Sequence, residues 1–180
     1  KREIKRFLFL YKQTIIPSVI TSALYIIVFG AAMGSRIGDI KGVEYTHFLI
    51  PGLVMMAVIN PAYQNSSSSI MQAKFLRFIE DILITPLSGL EISLSYIIGG
   101  AVRGILNGIL VLLLAYLITG LHIENWFLTL VYLSAVAWAF AGAGVIVGIY
   151  AKSWDSIMVL TNFFLIPLTF LGGVFYSIEM

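Results

Sequence analysis

Five apolar runs of about 20 residues each dominate this chain, and nothing constrains its fold more. A helix rises about 1.5 Å per residue, so each run is long enough to cross about 30 Å of hydrocarbon. The runs lie near residues 14–33, 48–70, 92–118, 126–150 and 157–176. Soluble domains carry about 25% charged residues. Here only 11% are charged and 59% are hydrophobic. A soluble core needs a polar exterior, and this composition supplies none. The fold class is therefore an all-α polytopic membrane protein.

The breaks between runs are polar or rich in glycine: Gly34 to His47, Thr119 to Asn125 and Ala151 to Ser156. Residues 1–13 differ from a plain tail. Ile4, Phe7, Leu8, Tyr11 and Ile15 recur at helical spacing with Lys and Arg between them. That pattern predicts an interfacial amphipathic helix whose basic groups face lipid phosphates. Pro17 marks the turn into the first span. No small-residue cleavage site follows that span, which argues for a retained helix over a signal peptide.

Orientation follows from Lys and Arg placement. Lys1, Arg2, Lys5, Arg6, Lys12, Lys74, Arg77 and Lys152 fall on one side, eight against Arg36 and Lys41 on the other. The richer side is expected to be cytoplasmic, with the N-terminus in. Five spans then leave Met180 outside, hard against a membrane boundary, which suggests that a C-terminal piece is missing.

The chemistry of enzymes and proton carriers is missing from the spans. All nine acidic residues fall in loops or at span ends. Proton relays need intramembrane carboxylates or histidines. His47 and His122 lie outside by this topology and read as interfacial residues. There is no cysteine, so disulfides and Cys-ligated metals are excluded. Neither a zinc-protease helix nor a nucleophile elbow nor a phosphate-cradling P-loop occurs. No metal, catalytic residue or nucleotide cofactor is expected on this chain, and a net charge of +2 gives no reason to expect a nucleic-acid partner.

Within the spans, Gly100, Gly104 and Gly108 repeat every four residues along one helix face. Gly144 with Gly148, and Ala135 with Ala139 and Ala143, form two more small-residue stripes. Such stripes let helix backbones approach closely, within one chain or across a dimer. Arg103 falls near mid-membrane, where an Arg costs roughly 2.5–3.5 kcal/mol on insertion scales. It must face the bundle interior or a wet cavity. It either lines a translocation path that takes anionic cargo or is satisfied by a neighbouring helix. Asn107, one turn on, shares its face and is placed to orient it, and Asn162 is a milder polar residue of the same kind. Pro167, with Gly172 and Gly173, predicts a bent or broken helix, hence an outer gate or re-entrant turn.

Between the second and third spans lies KFLRFIEDILITPLS, Lys74 to Ser88. Phe75, Phe78 or Ile79, and Ile82 recur at helical spacing, while Lys74, Arg77, Glu80 and Asp81 supply charges of both signs. Pro86 ends any helix near Thr85. The expected element is an amphipathic helix of about three turns. Lipid alone would favour basic residues, so Glu80 and Asp81 point to a protein partner.

Taken together, YTHFLIPGL (from Tyr45), the Lys74–Ser88 stretch, GGAVRG (from Gly99), AKSWDSI (from Ala151) and PLTFLGGVFYS (from Pro167) resemble ABC-2 type transport permeases. These are the membrane subunits of a class of bacterial ATP-binding-cassette exporters, and the resemblance runs across residues 1–180 as one transmembrane domain. It implies six spans, the sixth beyond Met180, with both termini cytoplasmic. It implies a dimer of permease copies, separate nucleotide-binding ATPase subunits that hold the ATP and Mg, and residence in the bacterial inner membrane. The segment 74–90 becomes the coupling helix, with Lys74, Phe75, Arg77, Phe78, Glu80, Asp81 and Pro86 as its working residues. Lys152 and Asp155 lie on the same cytoplasmic side. Cargo does not transfer from the resemblance. A secondary carrier or channel is disfavoured by the absence of intramembrane acids and of an inverted repeat. A non-transporting assembly factor leaves Arg103 and the amphipathic loop unexplained.

Overall fold

The computed structural model describes residues 16–37, 39–40, 42–121 and 123–174. The expected interfacial helix over residues 1–13 lies outside this range, as do His122 and residues 175–180.

The elements are helix α1 (Ile16–Ile37), strands β1 (Asp39–Ile40) and β2 (Val43–Glu44), and helices α2 (Tyr45–Phe75), α3 (Ile79–Leu83), α4 (Gly89–Thr119) and α5 (Trp126–Tyr150). Helix α6 (Trp154–Leu160) continues through a π-helical turn (Thr161–Leu165), α7 (Ile166–Thr169) and a second π turn (Phe170–Val174). The strands form a two-residue antiparallel pairing, Asp39 with Glu44 and Ile40 with Val43. Four helical stretches are long and apolar enough to cross a membrane: α2, α4, α5 and the composite Trp154–Gly172. The described apolar part of the first helix, Ile16–Phe29, is shorter, although α1 itself runs 22 residues.

Helix α2 is the axle of the bundle. It packs on α1, α4, α5 and the second π turn. It is the least apolar of the four candidate spans and the most buried. That inversion is expected in lipid, where polar faces turn to protein and apolar faces to acyl chains. Its serine run is satisfied at short range: Ser67 Oγ donates to the Tyr63 carbonyl at 2.9 Å and Ser69 Oγ to that of Asn65 at 2.5 Å. Outward faces of the other helices carry Leu113, Leu117, Ile146, Phe163 and Leu168. Exposed Tyr116 and Trp126 at one end, and Tyr150 and Trp154 at the other, suit interfacial belts.

The glycines set how closely α4 and α5 approach α2. A Cβ at Gly104 would come within 2.8 Å of both the Ala62 Cβ and the Val58 carbonyl oxygen. A Cβ at Gly100 or Gly108 would strike Ser66 or Val58. On the other side of α2, a Cβ at Gly144 would strike the Tyr63 carbonyl, and one at Gly148 would lie 3.0 Å from the Ser67 carbonyl. Both stripes therefore seat α2 within a single chain. Within the single chain the alanine stripe of α5 does not face α2: Ala135 and Ala139 are exposed, and the buried line runs through Leu133, Ala137, Ala141, Gly144 and Gly148. α5 carries small residues on more than one face, and the α2 partner selects which of them is buried.

Helix ends follow local chemistry. Ser88 opens α4 with a capping box, its backbone N–H donating to Glu91 Oε2 at 2.8 Å. Gly120 ends α4 at φ 66°, a left-handed position suited to glycine. Asn125 and Ser153 cap α5 and α6.

Two expectations about helix shape change. Within the described residues the last span is unbroken, running helically from Trp154 to Val174 through two π turns that flank Pro167. Pro167 has no N–H for the carbonyl four residues back, that of Phe163, and the widened π turn at Thr161–Leu165 takes up the mismatch. The coupling element is shorter than about three turns: α2 runs on through Lys74 and Phe75, and α3 holds only five residues. Arg77, at φ 58°, interrupts the helix between them.

Candidate functional site

Two constellations stand out, one at the end of the bundle and one inside it.

At the end, the chain from Phe75 to Leu90 is a ledge of exposed apolar groups. Phe75 is 70% exposed, Ile84 83% and Leu90 76%, with Leu76, Leu83 and Leu87 also exposed. The charged groups of Arg77, Glu80 and Asp81 and the ring of Pro86 share this surface. Phe78, Ile79 and Ile82 are half-buried, and Ile79 packs against Ile70, Tyr96 and Val145. The inner face of the segment thus anchors it while the outer face stays open. Phe75, expected to share a helical face with Phe78 or Ile79 and Ile82, instead ends α2 and is exposed, with Arg77 interrupting the helix after it. Lys74 is engaged elsewhere: its Nζ donates to the carbonyls of Ile149 at 2.5 Å and Ala151 at 3.1 Å. A cation at the C-terminus of α5 satisfies carbonyls that have no helical partner and complements the helix dipole. Lys152 and Asp155 are exposed just beyond, at the start of α6.

Inside the bundle, Arg103 Nη1 donates to Asn65 Oδ1 at 3.3 Å. This fixes the Asn65 amide with its Nδ2 as the remaining donor. Asn107 is fully buried, and its Nδ2 donates to the Arg103 main-chain carbonyl at 2.9 Å. It holds the backbone of α4 at Arg103; its bond does not reach the guanidinium. Arg103 lines a cavity of about 340 Å³ with Ser18, Thr21, Ser22 and Tyr25 of α1 and Asn60 and Gln64 of α2. Asn162, in contrast, is exposed on the outside of the bundle, and the adjacent Thr161 is the buried polar residue. Pro167 and Gly172 are also exposed.

A second, apolar cavity of about 820 Å³ opens between α2, α5 and the Trp154–Gly172 stretch. Met55, Met56, Phe48, Phe164 and Leu168 are among its walls. His47 borders it and places Nε2 3.3 Å from the Thr119 carbonyl oxygen, joining α2 to the end of α4. Among the described residues no three His, Cys, Asp or Glu side chains gather to hold a metal.

Sequence reasoning missed Asn60, Gln64 and Asn65 and the hydroxyls of α1. Signals for both were present. NPAYQNSSSS is a polar run inside an apolar span, and Ser18, Ser22 and Tyr25 share one helix face.

The whole chain, residues 1–180, matches the family described as ABC-2 type transporter. The chain belongs to the ABC-2 type transporter family. It is 43% identical to the inner membrane transport permease YadH of Escherichia coli K12 over 99% of its own length and 70% of that relative. Nodulation protein J of Rhizobium leguminosarum bv. viciae is 24% identical over 92% of the chain and 64% of its own length. Nodulation protein J of Sinorhizobium fredii is 26% identical over 83% of the chain and 58% of its own length. No solved structure matches the chain significantly. As an ABC-2 family member, the chain is a multi-pass membrane subunit of a transporter, and membership implies pairing with an ABC ATPase.

Proposed function

We propose that this chain is the permease of an ATP-driven exporter in a bacterial inner membrane. Two copies would form the path, and separate nucleotide-binding subunits would drive it. The observation that carries this reading is the ledge from Phe75 to Leu90. It combines exposed apolar side chains with charges of both signs, a composition suited to a protein partner and poorly suited to anionic lipid. The short α3 is tied to α2 through Arg77 and to α4 through the Ser88 cap. A push on α3 therefore reaches the two helices that hold Asn65 and Arg103. The excess of Lys and Arg at this end supports a cytoplasmic ledge and a cytoplasmic N-terminus. Likeness to an inner membrane permease supports the compartment.

The working surface is assigned to Arg77, Glu80 and Asp81 with the apolar groups beside them. Lys74 is left out, since its ammonium caps α5. The full-length permease, reconstituted with its ABC ATPase in liposomes, tests the reading. Stimulation of ATP hydrolysis by the permease is expected to fall at least fivefold in Arg77→Glu, Glu80→Lys or Asp81→Lys, with membrane insertion unchanged. Undiminished stimulation in all three would remove these residues from the coupling surface. Vectorial ATP-dependent transport by the permease with no ATPase present would overturn the whole reading.

A further inference from the structure

One wall of the apolar cavity is built differently from the others. Helices α2 and α5 pack directly on each other, and between them they contribute Phe48, Met55, Phe140 and Val147. The facing wall is the Trp154–Val174 stretch. It packs on α2 near its start, through α6, and again at its end, through the second π turn. Leu165, Leu168 and Thr169, from the part between, line the cavity. The stretch is thus a strap across the cavity with an anchor at each end. At one anchor Tyr63 of α2 shares a side-chain hydrogen bond with Thr161, whose Oγ1 donates to the Ile157 carbonyl at 2.8 Å. At the other, Val174 rests on Gly52, where an added Cβ would lie 2.9 Å from the Val174 Cα. The two anchors differ in kind. The first is a hydrogen bond at a π turn, a register found frequently at functional sites. The second is a dispersion contact, weak for each atom pair.

We propose that this strap is the movable wall of a binding site for an uncharged apolar molecule. The π turn at Thr161–Leu165 is the hinge, and Val174 lifts from Gly52 to admit the ligand into the space of about 820 Å³. The inference deepens the proposed transport function by naming a ligand class. It rests on that reading only for the later fate of the ligand; binding and strap movement need no ATPase.

The lining argues for the ligand class. Among the described residues no Lys, Arg, Asp or Glu borders the cavity. Its polar side chains are His47, Tyr63 and Thr169, and each is engaged within the protein. His47 Nε2 faces the Thr119 carbonyl, Tyr63 meets Thr161, and Thr169 Oγ1 donates to the Ile166 carbonyl at 2.7 Å. A charged ligand would lose its hydration here and gain no counter-charge. An uncharged apolar one has little hydration to lose. Met55 and Met56 adapt to its shape, and Phe48, Phe140 and Phe164 offer ring faces. A volume of about 820 Å³ lies within the range of small-molecule pockets. The direction of opening follows from burial. Thr161 is buried at the hinge, whereas Leu168 and Leu171 beyond it are exposed, so no described element blocks an outward swing.

Photolabelling of the full-length protein in phosphatidylcholine nanodiscs, without nucleotide or ATPase, tests the site. The probe is tritiated benzophenone, which is uncharged, apolar and itself photoreactive. Saturable incorporation at Met55 and Met56 is expected, suppressed by excess diphenylmethane. Benzoylbenzoate and (benzoylbenzyl)trimethylammonium carry a negative or positive charge on the same core. Each should label these positions at least tenfold less at equal bilayer concentration. Strap movement is read separately. The chain has no cysteine, so spin labels on Tyr132→Cys and Leu171→Cys report one distance between α5 and the strap. Gly52→Val sets a branched side chain against Val174. It should lengthen that distance and raise the rate of Met55 labelling at least threefold, while Gly142→Ala changes neither. If Gly52→Val unfolds, Val174→Ala, which trims the contact without overpacking it, replaces it with the same expected direction. Equal labelling by either charged analogue would overturn the ligand class. Labelling that follows bilayer concentration without saturating would show acyl chains filling the cavity and overturn the site. An identical distance in the parent and in every folded variant at Gly52 or Val174 would overturn the movable wall. Absence of labelling with ATPase stimulation intact would remove this site and leave the coupling function standing.

Discussion

Lys74 sits among the charges of the amphipathic segment, and its bonds serve a different purpose. Its ammonium closes the C-terminus of α5, a contact between residues 75 positions apart in the chain. No local pattern reveals such a bond, which is why the sequence groups Lys74 with Arg77. The two should separate experimentally. Lys74→Met is expected to cost about 1 kcal/mol of stability, read from unfolding in mixed detergent micelles, with ATPase stimulation within twofold of the parent. Arg77→Glu should show the opposite pattern, with stability nearly unchanged and stimulation lost. Arg103 was legible as a cation turned towards the bundle interior because Arg in an apolar run has few alternatives. Its partner Asn65 was not, since residue pairing across helices follows from packing register, which a single sequence does not display.

At the scale of elements, the spans were readable from hydrophobic length, whereas the caps at Ser88, Gly120 and Asn125 emerge from the structure. The choice among small-residue faces was not readable either. On α4 the glycine line is one face and could be identified, whereas α5 has rival faces and the contact with α2 decides between them. The consequence is measurable. Gly104→Leu should force α2 and α4 apart and cost about 3 kcal/mol or more, at the upper end of overpacking effects. Gly142 lies in α5, and a methyl group added there would meet nothing within 4 Å. Gly142→Ala should therefore be neutral or stabilising by up to about 1 kcal/mol through helix propensity. Equal losses from both variants would contradict the packing described. Ser88→Ala removes the capping box of α4 and should cost about 1 kcal/mol. The segment before it was overestimated as one continuous helix, because side-chain periodicity does not report a left-handed residue such as Arg77.

For the whole molecule, the arrangement is an axle with polar character, α2, wrapped by helices whose outer faces suit lipid. Both candidate sites depend on that axle. Asn60, Gln64 and Asn65 project from its middle, and its last turn delivers the chain to the exposed ledge. This gives the ledge a short mechanical route to the cavities, through α2 on one side and α4 on the other. The overall class was legible because a chain with so few charges has little choice of solvent. The route was not, because it depends on which helix occupies the centre.

Partner contact at the ledge is the claim on which the functional account turns. A photo-cross-linking side chain placed at Ile84 in the full-length permease, co-reconstituted with its ABC ATPase, probes it directly. The same probe at Phe127, exposed at the start of α5, serves as the comparison at the opposite end of the bundle. The account predicts capture of the ATPase from Ile84, with a yield that changes on ATP binding, and no capture from Phe127. Capture from Phe127 with none from Ile84 would contradict it.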